Sequence, residues 1–249
     1  FNTTFYFNLI CRYFLLQYFF ILVYNIFMKK TFRILNIVLS IASILATIGA
    51  IIYYVVVGDP NKRILVSCGI VVMFILPYIL ERIFKTKFGN LTLLIYTLFV
   101  VLSGFVGATL NVTYKISWFN KVCHVLFGYL GCLLGLMLLV KTDSHKNLKP
   151  FMILLICVMA SISLHALWEV WEFSSDNIFG TTAQGFKVNG IAPYVTDTMT
   201  DILANLTGAL VFAIQYFVFY KFKKGKFIPA IVKDFEKQKD IAPLNDNLQ

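Results

Sequence analysis

Apolar residues along this chain are gathered into blocks that are each long enough to cross a lipid bilayer, and polar residues are concentrated between them. A transmembrane helix needs about 20 predominantly apolar residues. Six blocks meet that length and lie at 34–57, 64–83, 91–110, 119–140, 151–173 and 198–222. The pattern therefore predicts an all-α, polytopic helical membrane bundle of six transmembrane helices within residues 28–222.

A further apolar stretch over residues 5–27 precedes the six blocks, and a seventh helix there is an alternative. The sequence begins with Phe1, and the first methionine is Met28, followed by Lys29 and Lys30. The density of Phe, Tyr, Asn, Ile and Leu before Met28 is typical of translated AT-rich noncoding DNA. No small-x-small cleavage pattern follows a basic start, as a signal peptide would require. We therefore expect the natural protein to begin at Met28, with residues 1–27 as an extension.

The composition supports a membrane protein without a separate soluble domain. Hydrophobic residues make up 59% of the chain and charged residues only 14%, against about a quarter in soluble domains. Five cysteines are scattered through the apolar blocks and form no C-x-x-C pair. The sequence therefore predicts neither a disulfide framework nor a thiolate metal site.

The net charge of +10 arises from Lys and Arg between the blocks, a distribution that indicates membrane topology and anionic lipid rather than nucleic acid. Sixteen of these residues lie in one alternate set of connections and the tail, and five lie in the other set. The positive-inside rule therefore predicts a bacterial membrane protein with both termini, counted from Met28, in the cytoplasm. The basic tail, residues 223–249, is expected at the anionic cytoplasmic leaflet, with its last ten residues disordered.

Ionisable residues occur near the ends of three predicted spans that this topology places on the extracytoplasmic side. His124 lies in the fourth span, while His165, Glu169 and Glu172 form one helical stripe in the fifth. The stripe of the sixth span consists of Asp197, Asp201, Asn205 and Gly208. Because lipid does not solvate charged groups, both stripes are expected to turn towards the inside of the bundle.

Several carboxylates within reach of each other repel, so they require protons, cations or a metal ion to coexist. An imidazole with several carboxylates suits Mn²⁺, Zn²⁺ or Fe²⁺, whereas carboxylates alone suit Mg²⁺ or Ca²⁺. The predicted ligands of one divalent ion are His124, Glu169, Glu172, Asp197 and Asp201. Glu169 and Asp201 are also the candidates for acid–base chemistry, and Asn205 and His165 for supporting roles.

A set of helix caps and interhelical contacts is the alternative interpretation of the same residues. Asp197 suits the first turn of a helix, where the helix dipole favours a negative charge, and His165 is equally compatible with a satisfied core histidine. Gly128, Gly131 and Gly208 would allow neighbouring helices to approach closely. The connection over residues 174–196 contains Gly180 and is long enough to cap a site.

Three segments of the chain resemble the YjdF-like family of bacterial membrane proteins. They are WFNKVCHVLFG at 118–128, WEVWE at 168–172 with Gly180 and Thr181, and DTMTD at 197–201 followed by Asn205 and a Gly-Ala pair. The layout is more distantly similar to the VanZ-like family, which is linked with glycopeptide resistance. The resemblance implies an integral membrane protein and strengthens the site, including Gly128, Gly180 and Thr181, without implying a reaction. Where the family tends to have Asp, this chain has Asn120 before its basic residue.

The sequence predicts an extracytoplasmic His/Glu/Asp cluster, with metal-assisted chemistry on a lipid or lipid-linked envelope substrate as one function. An ion-coupled transporter and a non-catalytic envelope binding or structural protein are the alternatives. The known intramembrane motifs Gly-x-Ser-Gly, Glu-Glu-x-x-x-Arg, H-E-x-x-H and Pro-Ser-Gly-His are absent from the sequence. Membrane lipids are the expected partners, with no nucleic acid, and the sequence does not specify the oligomeric state.

Overall fold

The structure is a computed structural model that describes residues 31–59, 62–83, 87–184, 194–225 and 227–239. The predictions for residues 1–27, for the start at Met28 and for the last ten residues therefore lie outside the described residues. Within the described part the chain is all-α, without a strand.

Eight helices follow one another along the described chain. They are α1 (Thr31–Val57), α2 (Arg63–Ile83), α3 (Asn90–Phe99), α4 (Val112–Lys115), α5 (Ser117–Lys141), α6 (Pro150–Phe179), α7 (Tyr194–Phe222) and α8 (Phe227–Lys239). The α3 helix continues without a break as a π-helix over Val100–Thr109, and a single 3₁₀ turn, Ser144–Lys146, lies between α5 and α6.

Six of these helical stretches are long and apolar enough to cross a membrane. They are Arg33–Val57, Arg63–Ile83, Asn90–Thr109, Trp118–Lys141, Pro150–Phe179 and Val195–Phe222. The prediction of six transmembrane helices is confirmed, and the chain is a multi-pass membrane protein.

The α6 helix is longer than the sequence pattern predicted. It begins with Pro150, a residue that fits the first helical turn because it has no backbone N–H to leave unpaired. It runs to Phe179, six residues past the predicted end, and stops at Gly180, which has a φ of 67°. The predicted connection over residues 174–196 is therefore wrong at both ends, since α7 already begins at Tyr194. No helix breaker occurs before Gly180, so polar residues at the membrane surface simply continue the helix.

The α5 helix lies at the centre of the bundle. Of the most apolar 18-residue stretch of this helix, 61% is buried inside the protein, against 33% or less in the corresponding stretches of the other five spans. Its apolar side chains pack with α6, α7 and α8 in one core that includes Leu133, Val140, Cys157 and Phe212. A smaller core around Ile70, Phe74 and Val100 joins α2 to the π-helical segment of α3.

Glycines set the close approach of α5 to its two partners, as expected. A Cβ added at Gly128 would overlap the backbone carbonyl of Asn205 on α7, and one at Gly208 would overlap that of Val125 on α5. A Cβ at Gly131 would lie 2.7 Å from the Cα of Ser161 on α6. Only glycine fits at these three points, so the backbones of α5, α6 and α7 are held at short and fixed separations.

The basic tail contains a helix that packs on the bundle, a feature that the sequence pattern did not predict. Phe227, Ile228, Ile231 and Phe235 of α8 are buried in the main core. Asp234 of the same helix accepts a hydrogen bond from the backbone N–H of Leu91 at 3.0 Å, at the first turn of α3. The apolar face of α8 therefore contacts protein rather than lipid.

Candidate functional site

Three helices bring the predicted polar stripes together, at the end of the bundle where α5 and α7 begin and α6 ends. The contributing residues are Lys121 and His124 of α5, His165, Glu169 and Glu172 of α6, and Asp197, Asp201 and Asn205 of α7. Most of them are buried: Asp201 has no exposed surface and His165 is 2% exposed. The stripes turn inward as predicted, because their carboxyl and imidazole groups have no favourable contacts with lipid.

A lysine neutralises the two aspartates at the outer part of this cluster. The ammonium group of Lys121 donates to Asp201 Oδ1 at 2.7 Å and to Asp197 Oδ1 at 3.0 Å. The side-chain amide of Asn120 lies 3.4 Å from Asp201 Oδ2. Asn120, at the position where the resemblance led us to expect an acidic residue, thus contacts Asp201.

Two buried histidines connect Asp201 to the interior of the cluster. His124 Nε2 lies 3.4 Å from Asp201 Oδ1, and its other ring nitrogen, Nδ1, lies 2.9 Å from His165 Nε2. His165 Nε2 is in turn 3.4 Å from Glu169 Oε1. The chain of short contacts therefore runs from Lys121 through Asp201 and both imidazoles to Glu169.

His124, His165 and Glu169 each direct one donor atom into a common space. Their three donor atoms all lie within 4.8 Å of one another, and all three residues are buried. The ring of Phe127 packs against His165 and Trp168, with centroid distances of 6.0 and 6.1 Å, and covers one side of the His165 imidazole. This arrangement resembles a site for a single cation in a water-poor environment.

Not every residue predicted as a metal ligand belongs to this convergent group. Asp197 and Asp201 bind Lys121 instead, and Glu172 accepts a hydrogen bond from the indole N–H of Trp168 at 2.8 Å. His165, predicted only as a supporting residue, is at the centre of the group.

Within the described part of the chain, five buried oxygen atoms around the site lack a hydrogen-bond partner of regular geometry. They are both carboxylate oxygens of Glu169, Oε2 of Glu172, Oε1 of Gln184 and Oδ1 of Asn205. Thr198 lies beside Glu169, but its hydroxyl does not form a hydrogen bond of regular geometry with the Glu169 carboxylate. All five are side-chain oxygens that accept when their groups are unprotonated, and each unsatisfied buried acceptor costs about 1–3 kcal/mol. A cation is the partner that such a set of oxygens favours.

The loop after α6 contributes the two other residues of the predicted site. Gly180 ends α6 in the left-handed conformation, and the Thr181 hydroxyl donates to the carboxylate of Asp176 at 2.6 Å. Both residues shape the loop rather than contact the imidazoles. The contribution of Gln184, which is 3% exposed, was missed in the sequence because a glutamine in a glycine-rich loop carries no periodic signal.

Sequence reasoning also gave no structural role to Lys121. The available signal was its spacing of three residues from His124, which places both on the same face of α5. Ser161 of α6 accepts from Asn205 at 3.3 Å and donates to the carbonyl of Gly128 at 2.8 Å. These bonds hold the three helices together directly beneath the site.

Comparison with known proteins places the chain in a family. The model of the family described as "Predicted membrane protein (DUF2238)" matches residues 37–222, and the chain belongs to this family. It is 26% identical over 153 residues to an "Uncharacterized protein" of Thermotoga maritima, covering 61% of this chain and 73% of that relative. No solved structure matches the chain significantly.

Proposed function

We propose that this member of the DUF2238 membrane-protein family binds a divalent metal ion inside the bundle through His124, His165 and Glu169. Two neighbouring donors about 2.0–2.1 Å from one ion lie about 2.8–3.0 Å apart in octahedral and about 3.3–3.4 Å apart in tetrahedral coordination. The separations of 2.9 Å between the imidazole nitrogens and 3.4 Å from His165 to Glu169 are close to those values. The convergence of these three buried donors is the observation that carries the proposal.

Asp201 fits the role of a residue that orients a metal ligand. With Nδ1 of His124 directed to the ion, Nε2 of the same ring faces Asp201 Oδ1 at 3.4 Å. A carboxylate in this position holds the imidazole in one tautomer and strengthens its donor nitrogen. Lys121 then compensates the charge of Asp201, a carboxylate that is fully buried.

Metal-assisted chemistry on a lipid or lipid-linked substrate is the activity that this site suits best. Two imidazoles and a carboxylate suit Mn²⁺, Fe²⁺ or Zn²⁺, and such an ion activates a water molecule or polarises a phosphoryl or carbonyl oxygen. With Glu169 on the ion and Asp201 on His124, Glu172 remains as the buried carboxylate for proton transfer. The position of the site, near one end of three transmembrane helices, supports a substrate that approaches from the membrane surface.

Metal analysis of the purified protein tests this proposal. Elemental analysis of the full chain, purified in detergent without chelators, is expected to find close to one equivalent of Mn, Fe or Zn. His165→Gln and Glu169→Gln should abolish most of that content. His145→Gln is the matched control, because His145 lies outside the site, 3.4 Å from Glu236 of α8. Wild-type protein that neither retains nor takes up a divalent ion would overturn the proposal.

We also infer a bacterial cell membrane location with both termini, counted from Met28, in the cytoplasm, which would put the site on the extracytoplasmic side. The support is the excess of Lys and Arg in the connections on the opposite side. A fluorescent protein fused after Gln249 should be bright, because that reporter folds in the cytoplasm, and alkaline phosphatase fused there should be inactive. A dark fluorescent protein and an active phosphatase would instead place the carboxyl terminus outside the cytoplasm and contradict this topology. Contact of the tail with anionic lipid and similarity to the VanZ-like family stay predictions.

Ion-coupled transport is a second candidate, favoured by polar groups that continue below the site. Beneath Asn205 and Ser161, the hydroxyl of Tyr129 donates to the side chain of Gln215, so polar contacts between α5 and α7 continue, half-buried, deeper into the bundle. Transport predicts a flux in proteoliposomes that follows the pH gradient and is lost in Asp201→Asn.

If the cluster only holds the helices together, Glu169→Gln should leave both metal content and stability nearly unchanged.

A further inference from the structure

We propose that the side-chain oxygen of Gln184 is a fourth protein ligand of the ion, supplied by the loop after α6 rather than by a transmembrane helix. This inference rests on the metal site proposed above. It adds a ligand outside the residue types that the sequence pattern suggested, and it makes the loop a part of the site.

The loop is built so that the backbone at Gln184 is fixed to the end of α6. The carboxylate of Asp176 accepts three hydrogen bonds: from the Thr181 hydroxyl at 2.6 Å, from the backbone N–H of Ala183 at 2.7 Å and from that of Gln184 at 3.0 Å. The hydroxyls of Ser175 and Thr181 also lie 2.7 Å apart. These contacts tie residues 181–184 to the last turn of α6, directly after the turns that carry Glu169 and Glu172.

The side chain of Gln184 points into the bundle. Only 3% of its surface is exposed, and its amide nitrogen donates to the Thr198 hydroxyl at 3.0 Å, next to Glu169. Because the nitrogen is used for this bond, Oε1 is left as the free polar atom of the side chain. That oxygen is buried and has no hydrogen-bond partner among the residues that the structure describes.

The surroundings of Gln184 favour a cation as the partner of this oxygen. The other buried atoms without partners near the site, on Glu169, Glu172 and Asn205, are side-chain oxygens as well, and a single cation would satisfy several such oxygens at once. Leaving an amide oxygen desolvated and unpaired costs about 1–3 kcal/mol. Glutamine oxygens are established ligands of hard cations, and two imidazole nitrogens with two oxygens form a donor set suited to Mn²⁺.

Mn²⁺ binding to the full chain in lipid nanodiscs tests the assignment, with the electron paramagnetic resonance signal of free Mn²⁺ as the readout. Gln184→Leu should weaken Mn²⁺ binding by about tenfold or more. Gln184→Glu keeps an oxygen donor at the same place and should bind Mn²⁺ at least as tightly as the wild type. Gln215→Leu is the matched control, because it removes a glutamine of α7 that contacts Tyr129 instead.

A second control separates metal ligation from anchoring of the loop. Thr198→Val removes the acceptor of the Gln184 amide and keeps the oxygen, so Mn²⁺ affinity should change little. Equal losses in Thr198→Val and Gln184→Leu would show that Gln184 only anchors the loop and would overturn the inference. Tight binding that His165→Gln abolishes and Gln184→Leu leaves unchanged would also overturn it, without affecting the proposed function. A wild-type protein that does not bind Mn²⁺, Fe²⁺ or Zn²⁺ would overturn both.

Discussion

The contact between α5 and α7 predicts opposite effects for two glycine-to-alanine substitutions. Gly208 of α7 lies against the backbone of α5, where a Cβ would overlap the carbonyl oxygen of Val125 and come within 2.9 Å of the Tyr129 amide nitrogen. Gly69 of α2 is also helical, but a Cβ there has no neighbour within 4 Å among the residues that the structure describes. The added methyl group of alanine therefore meets no described atom at Gly69, whereas at Gly208 it overlaps the backbone of α5.

The expected free energies of unfolding follow from this difference. Replacing a helical glycine by alanine gains about 1 kcal/mol of helix stability, so Gly69→Ala should stabilise the protein by up to that amount. At Gly208 the same gain is opposed by overpacking, which costs about 1–3 kcal/mol. Because the obstacle is rigid backbone, the cost should be near the upper end of that range, and Gly208→Ala should destabilise the protein by about 1–2 kcal/mol.

Reversible unfolding in mixed micelles, titrated with sodium dodecyl sulfate, measures both variants against the wild type. Gly49→Ala is a second control, since a Cβ at Gly49 also has no neighbour within 4 Å in the described part of the chain. Gly208→Ala should also bind metal more weakly, because His124 lies on α5 and Asp201 on α7 and their separation depends on this contact. A Gly208→Ala protein as stable as the wild type would refute the backbone-to-backbone approach.

Three further predictions concern the site and the tail. Lys121→Met should destabilise the protein by about 1–3 kcal/mol, since it leaves two carboxylates without their cation, and adding Asp201→Asn should recover part of the loss in a double-mutant cycle. A divalent ion at about 100 times its Kd should raise the free energy of unfolding by about 2.7 kcal/mol, and Glu169→Gln should remove this gain in the same assay. Phe235→Ala should cost about 3–5 kcal/mol of packing and expose the connection between α7 and α8 to limited proteolysis, whereas cleavage that stays at the wild-type rate would contradict the docking of α8.

The six spans could be predicted from the sequence because each is a long apolar block, and lipid permits few other interpretations of such a block. The inward stripes of α6 and α7 were predictable for a related reason: residues at i, i+4 and i+7 share a helix face, and that face has to avoid lipid. The grouping of His124 with His165 and Glu169 was only partly predictable. Periodicity orients each helix by itself, while the rotation of one helix against another depends on contacts such as those of Gly128.

Other features could not be predicted because their causes are not local. The α8 helix is short and only partly apolar, so its sequence fits an interfacial helix as well as a packed one. Its packed position depends on partners far away in the chain, such as the first turn of α3, which lies more than 140 residues earlier and donates a hydrogen bond to Asp234. The different contacts of the acidic residues likewise depend on Lys121. Its ammonium group binds Asp197 and Asp201, whereas Glu169 contacts the imidazole of His165.

Docking of α8 has a consequence for how the protein is made. Because α8 follows all six spans in the chain, the spans are synthesised first and begin to pack while the interior still lacks the aromatic and aliphatic groups of Phe227, Ile228, Ile231 and Phe235. Insertion and completion of the interior are thus separate events, and the second depends on a segment that never enters the bilayer as a span. A message truncated just after α7 would yield a fully inserted but incompletely folded chain, the kind of product that membrane quality-control proteases remove.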